Sequence, residues 1–151
     1  MKKLVLLSHC VLNSFCELPE ASDAIRSKLM NQLMDKGISV IQLPCPELCY
    51  QALERESILP GDSGADAYRD YCKSLLAPIL KNLQEYKKHN IQVAAVIGID
   101  TSPSCSVIDP KAIMMELLLK EMKEKDITAG CLLDMPLTED TEAFFKKIEE
   151  L

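Results

Sequence analysis

Two rhythms of apolar residues alternate along this chain. Short runs of strand length, rich in Val, Ile and Leu, are separated by stretches in which apolar positions recur every three or four residues, the helical period. Lys2–Leu7 is the first run, and Ser8-His-Cys-Val-Leu-Asn-Ser14 is the loop after it. Pro19 to Lys36 then puts Ile25, Leu29 and Leu33 on one helical face with Met30 and Met34 beside them, and Gly37 stands where helices commonly stop. Ile38–Leu43 is a second strand, closed by Pro44 and Pro46, which bracket Cys45 so that neither helix nor ladder runs through it. From Glu47 onward, the residues Leu48 to Arg55 predict a short helix, and Pro60-Gly-Asp-Ser-Gly64 is the clearest loop.

Asp66 to Lys88 predicts a long helix, with Tyr68, Tyr71, Leu75, Leu76, Ile79, Leu83 and Tyr86 at helical spacing and Pro78 as a candidate kink. Ile91–Ile97 is a third strand, apolar enough to be buried on both faces, as central parallel strands are. A loop through Cys105 follows, and Asp109-Pro110 supplies an N-cap and a first-turn proline for a helix to about Glu124. Ile127–Leu133 is a fourth strand candidate and Glu139–Leu151 a closing amphipathic helix. This alternation specifies a single α/β domain over residues 1–151. The expected architecture is a three-layer, Rossmann-like sandwich on a mostly parallel sheet of about four strands, in the order 2-1-3-4. Such a sheet has its topological switch point between strands 1 and 3, where open α/β sheets bind ligands.

Seventeen basic and 23 acidic residues leave a net charge of −6, which argues against sequence-independent attraction to nucleic acid or an anionic membrane surface. No apolar run approaches the roughly 20 residues that span a bilayer, and the Met1-Lys-Lys start lacks a small-residue cleavage site. The expected location is the cytoplasm. In that reducing compartment the seven cysteines are poor candidates for structural disulfides, and metal binding or catalysis is the better use for some of them.

Three of the seven share one setting. Cys10, Cys45 and Cys105 each follow an apolar run, so a parallel sheet would gather them along its carboxyl edge, spread over roughly 10 Å at the spacing of neighbouring strands. Thiolates suit iron–sulfur clusters, zinc and copper(I), but no cysteine spacing here is the local repeat of a zinc ribbon or a ferredoxin. A site of this kind is assembled by the fold. Three ligands on a cubane cluster leave one iron open to a substrate atom, whereas a fourth cysteine would close it into a relay or structural centre. Cys131, near the end of the fourth strand, is the best candidate for that fourth ligand, ahead of Cys16 and Cys49, while Cys72 belongs to the apolar side of the long helix.

Polar candidates flank the thiols. Glu47, two residues after Cys45, is either a first-turn acid favouring its helix dipole or a general acid or base beside a metal. Ser104 is a turn former or a polar contact, Asp109 a cap, and His9 a ligand, a base or a hydrogen-bonded structural group; Asn13 and Asp100 are lesser polar contacts. A thiol phosphatase with its cysteine after strand 1 fares badly, because Cys10-Val-Leu-Asn-Ser-Phe-Cys-Glu17 provides no Arg to bind phosphate.

Ser8-His-Cys10, Pro44-Cys-Pro-Glu47 and Ser102-Pro-Ser-Cys105, in that order, resemble the motifs of the thiouracil desulfurase family. The resemblance implies a [4Fe-4S] cluster held by Cys10, Cys45 and Cys105, with the fourth iron free for the sulfur of a small thiolated substrate. It also implies proton-handling roles for Glu47 and Ser104, and non-redox replacement of sulfur by oxygen. Two features depart from the family pattern: Leu48 to Arg55 replaces a glycine-rich stretch with Arg and Pro, and Ser106 stands where glycine usually follows the last ligand. The implied substrate is therefore a 2-thiouracil-like nucleobase or a related thiocarbonyl compound. The alternative expectation is a non-catalytic iron–sulfur or zinc protein with a closed four-cysteine site.

Overall fold

The computed structural model describes residues 1–16, 18–108, 112–138 and 140–151. Strands β1 (Lys3–Leu7), β2 (Ser39–Gln42), β3 (Gln92–Ile99) and β4 (Ala129–Met135) form one sheet in the order β2-β1-β3-β4. Every neighbouring pair is parallel, so the sheet is the expected three-layer, Rossmann-like sandwich in the expected order. Side chains alternate across the sheet. Leu4 and Leu6 of β1 enter one apolar cluster with Val93 and Val96, while Val5 and Leu7 enter the other with Ala95 and Ile97.

The first cluster lies under α4 (Ala65–Lys88) and α5 (Ile113–Glu124). Tyr68, Cys72, Leu76, Leu80 and Leu83 are the buried stripe of α4, meeting Met114, Leu117 and Leu118 of α5. The second cluster lies under α2 (Asp23–Asp35), where Ile25, Leu29 and Leu33 meet Phe144, Phe145 and Ile148 of α6 (Glu142–Glu150). Both faces of the sheet are thus covered, which is why β1 and β3 read as continuous apolar runs rather than as alternating ones. Pro78 lies on the exposed side of α4, where water can hydrate the carbonyl group its ring leaves unbonded.

Several boundaries differ from the sequence expectation, and two of the shifts reach the site. Residues His9–Leu12, expected as loop, form a single helical turn, α1. The helix after Cys45, α3, spans Pro46–Gln51 and stops short of Arg55, because Ala52 adopts φ 65 and ψ −162, a region that is nearly exclusive to glycine and marks local strain. Helix α5 begins at Ile113 with Ala112 at its cap position; Asp109 and Pro110, where the sequence placed its start, and Glu139, expected to open α6, lie outside the described residues. Strand β4 begins two residues later than expected and continues to Met135. Among the described residues no helix is long and apolar enough to cross a membrane.

Candidate functional site: a thiol-lined pocket at the carboxyl edge of the sheet

Three strand ends supply the site. Ser8, fully buried, continues β1: its N–H bonds the Ile97 carbonyl at 3.0 Å and its hydroxyl the Cys105 carbonyl at 3.5 Å, which ties the first cysteine loop to the third. Cys10 follows inside α1, a turn held from α2 by Arg26, whose guanidinium bonds the Val11 carbonyl at 3.0 Å. Cys45 is the cap residue of α3, and its sulfur accepts the Leu48 N–H at 3.4 Å. The third loop is folded by Ser102, whose hydroxyl accepts the N–H groups of Ser104 and Cys105 at 3.4 and 3.2 Å.

That third loop also rests on β4. Asp134 accepts the Ser106 hydroxyl at 2.6 Å, the Val107 N–H at 2.8 Å and the Ile108 N–H at 3.3 Å, so one carboxylate clamps the chain just past Cys105. Gly98 packs beneath the clamp. A methyl group there would run into the Cys105 carbonyl and the Asp134 carboxylate, backbone and a held side chain that cannot easily yield. We expect Gly98→Ala to cost about 1–3 kcal/mol through overpacking, read as a lower urea midpoint with unchanged slope. An unchanged midpoint would show that the loop gives way freely.

Together these elements enclose a pocket of about 210 Å³ whose walls include Cys10, Cys16, Cys45, Cys105, Glu47, Ser104 and Arg55. All four thiols are buried and none is in a disulfide. They neighbour one another in series: the Cys10 sulfur interacts with those of Cys105 and Cys16, and the Cys16 sulfur with that of Cys45. Cys10 also donates to the Cys16 carbonyl at 3.2 Å. Its interaction with Cys105, and then burial, hold the Cys10 thiol well above its ordinary range, while burial alone is the largest cause for Cys16 and pushes Cys45 up to about 11. The Arg55 guanidinium pulls all three the other way. These groups are therefore neutral thiols at pH 7, and any metal that binds must displace their protons.

Glu47 is 6% exposed, which does not fit a solvated first-turn acid. One carboxylate oxygen accepts the Ser104 hydroxyl from a loop 57 residues away, and the other lies 3.5 Å from Nε of Arg55. A buried carboxylate needs such partners to keep its charge. Arg55 reaches it because the chain leaves α3 at Ala52 and folds back, and its guanidinium also bonds the Cys16 carbonyl at 3.4 Å. Sequence reasoning missed Arg55 and Asp134, and it ranked Cys16, which lines the pocket, behind Cys131 as a fourth ligand. Arg55 was hidden inside an expected helix and Asp134 lay just past the expected end of the fourth strand.

The remaining candidates stand elsewhere or at the rim. Cys131 lies in mid-strand, four residues before the end of β4 and so roughly 13 Å short of the carboxyl edge, with its sulfur 3.7 Å from the Ala94 carbonyl. It lines a separate groove of about 650 Å³ at the other end of the sheet, among Lys3, Lys87, Asp126 and Lys147. The expectation that Cys131 is the best fourth ligand is corrected accordingly. Cys49 is exposed, and Cys72 is in the core beside Tyr68. His9 and Asn13 contact each other, ring Nε2 to amide nitrogen at 3.2 Å, and Asp100 is an exposed residue of the pocket wall.

Thiol donors of this kind suit soft metals and iron–sulfur clusters, and the walls supply them from four points of the chain. Among the described residues no three His, Cys, Asp or Glu side chains close on a single metal ion as they stand. A centre of several metal atoms, which spreads its ligands more widely, fits this donor set better than one ion does.

The molecule is a parallel α/β protein with a pocket of thiols, one carboxylate and one guanidinium at the carboxyl edge of its sheet. Its sequence is 33% identical over 152 residues to the uncharacterized protein MJ0003 of Methanocaldococcus jannaschii, an alignment that covers 99% of this chain and 97% of the relative. The chain belongs to the family of that archaeal protein. No family model matches it. Nor does any solved structure.

Proposed function

We propose that this protein is a desulfurase that replaces sulfur by oxygen on a 2-thiouracil-like nucleobase or a related small thiocarbonyl compound. Cys10, Cys45 and Cys105 would hold a [4Fe-4S] cluster. The observation that carries the reading is the pairing of a buried Glu47 with Ser104 in the pocket lined by these thiols. When bound, such a cluster supplies a Lewis-acidic iron that no protein side chain needs to occupy.

The chain's own part is to manage water and protons. Glu47, fixed between Ser104 and Arg55, takes a proton from the water that attacks the thiocarbonyl carbon, and returns it to the departing sulfur. Ser104, whose hydroxyl proton is donated to Glu47, would offer its oxygen as an acceptor to an N–H of the substrate ring. The thiocarbonyl compound and water give the carbonyl compound and hydrogen sulfide, with no net electron transfer. Leu18, Ile99, Pro103 and Leu137 give the pocket apolar wall against which a ring can lie.

The test is incubation of anaerobically prepared protein with 2-thiouracil, following sulfide release and loss of the thiocarbonyl absorbance together. Stoichiometric formation of both products supports the reading, and absence of either over many protein equivalents contradicts it. Cys16, placed between Cys10 and Cys45, favours a second reading, a closed four-thiol centre without turnover. That centre would hold its metal and release no sulfide.

A further inference from the structure

Four thiols line this pocket, one more than the proposed cluster requires. Cys16 is 4% exposed, its sulfur interacts with those of both Cys10 and Cys45, and its carbonyl accepts from the Cys10 thiol and from Arg55. A core cysteine of the ordinary kind is packed among apolar side chains, as Cys72 is. Cys16 instead faces polar groups that belong to three different loops. It sits on the turn after α1, next to the exposed Phe15, in a segment outside the two apolar clusters. Cysteine has a single side-chain torsion with three staggered wells, so neighbouring sulfurs can turn onto a common metal without rebuilding the backbone.

We propose that Cys16 is the fourth thiol of the centre, taking the metal position that Cys10, Cys45 and Cys105 leave open until a substrate sulfur displaces it. This rests on the desulfurase reading. On release, Cys16 leaves as a thiolate and picks up a proton, a ligand exchange in which nothing is oxidised. A position filled in the resting protein is shielded from water and stray thiols. Substrate must then compete for it, and its apparent affinity is lowered by the fraction of molecules in which Cys16 is bound.

Iron-loaded protein without substrate tests the ligand set apart from turnover. The electron paramagnetic resonance of its reduced cluster should change on adding cyanide, which binds an open iron, in both Cys16→Ser and Cys16→Ala, and stay unchanged in the parent, Cys49→Ser and Cys131→Ser. A parent that responds to cyanide as fully as the Cys16 variants overturns the proposal. Displacement is read on iron-loaded protein carrying Glu47→Gln, by equilibrium binding of 2-thiouracil. Adding Cys16→Ala should tighten binding roughly ten-fold, and equal affinity overturns the displaceable role. Failure of iron to load at all would instead count against the desulfurase reading itself, whereas loaded iron with unchanged cyanide response and affinity in the Cys16 variants counts against the role of Cys16 alone.

Discussion

Glu47→Gln should keep the iron content of the protein and slow sulfide release from thiolated pyrimidines by about 100-fold or more, the usual size of a lost general acid–base contribution. The substitution is nearly isosteric, and the amide still offers an oxygen to the Ser104 hydroxyl. What disappears is the capacity to take a proton. The buried negative charge beside Arg55 goes too, and some stability goes with it, because the guanidinium then faces a neutral amide in place of the carboxylate 3.5 Å away. Thermal unfolding run beside the assay separates the two effects. A variant that folds, holds iron and turns over at the parental rate would remove Glu47 from the chemistry.

Single serine variants at positions 10, 45 and 105 should each lower bound iron more than about ten-fold, since losing a ligand outright costs at least as much as losing one of the outer partners that orient it, roughly 10–100-fold. Cys45→Ser is the cleanest of them. Cys45 caps α3 through its sulfur, and serine is a preferred cap residue, so the helix survives while the soft donor is lost. Cys10→Ser keeps a donor for the Cys16 carbonyl in the same way. Cys49, exposed, and Cys131, at the far end of the sheet, should give parental iron content. Cys16→Ser should also retain iron, since three ligands remain. Iron loss at Cys131 to the same degree as at Cys45 would contradict the placement of the centre.

The sheet was legible from sequence because burial on both faces leaves a strong signal. Leu4 to Leu7 and Val93 to Ile99 are apolar at nearly every position, and each is followed by a helical stretch, which leaves few topologies. The brackets Pro44 and Pro46 likewise fixed the end of the second strand and the start of α3. Sequence was a poorer guide where a side chain's role depends on contacts far along the chain. Cys131 looked like a strand-end residue because Leu132 and Leu133 seemed to finish the run, but β4 continues through Asp134, whose carboxylate is satisfied by a loop 26 to 28 residues away.

The same limit hid Arg55 and left Cys16 ranked behind Cys131. Local periodicity carried the helix after Cys45 past Ala52, where the backbone takes a conformation that no residue preference of alanine predicts. With Arg55 kept on that helix, its approach to Glu47 was invisible. Cys16 sits six residues beyond Cys10, too far for a local ligand pair and outside any strand, so only the turn of α1 brings it back to the pocket. A polar signal did exist in both cases: each residue lies close in sequence to a motif already singled out.

Whether these thiols hold a cluster is decided by purification under anaerobic conditions, with iron and acid-labile sulfide quantified against protein. A cubane on Cys10, Cys45 and Cys105 would give a brown protein with about four irons and four sulfides per chain. A colourless protein that takes up no iron even after reconstitution would contradict it.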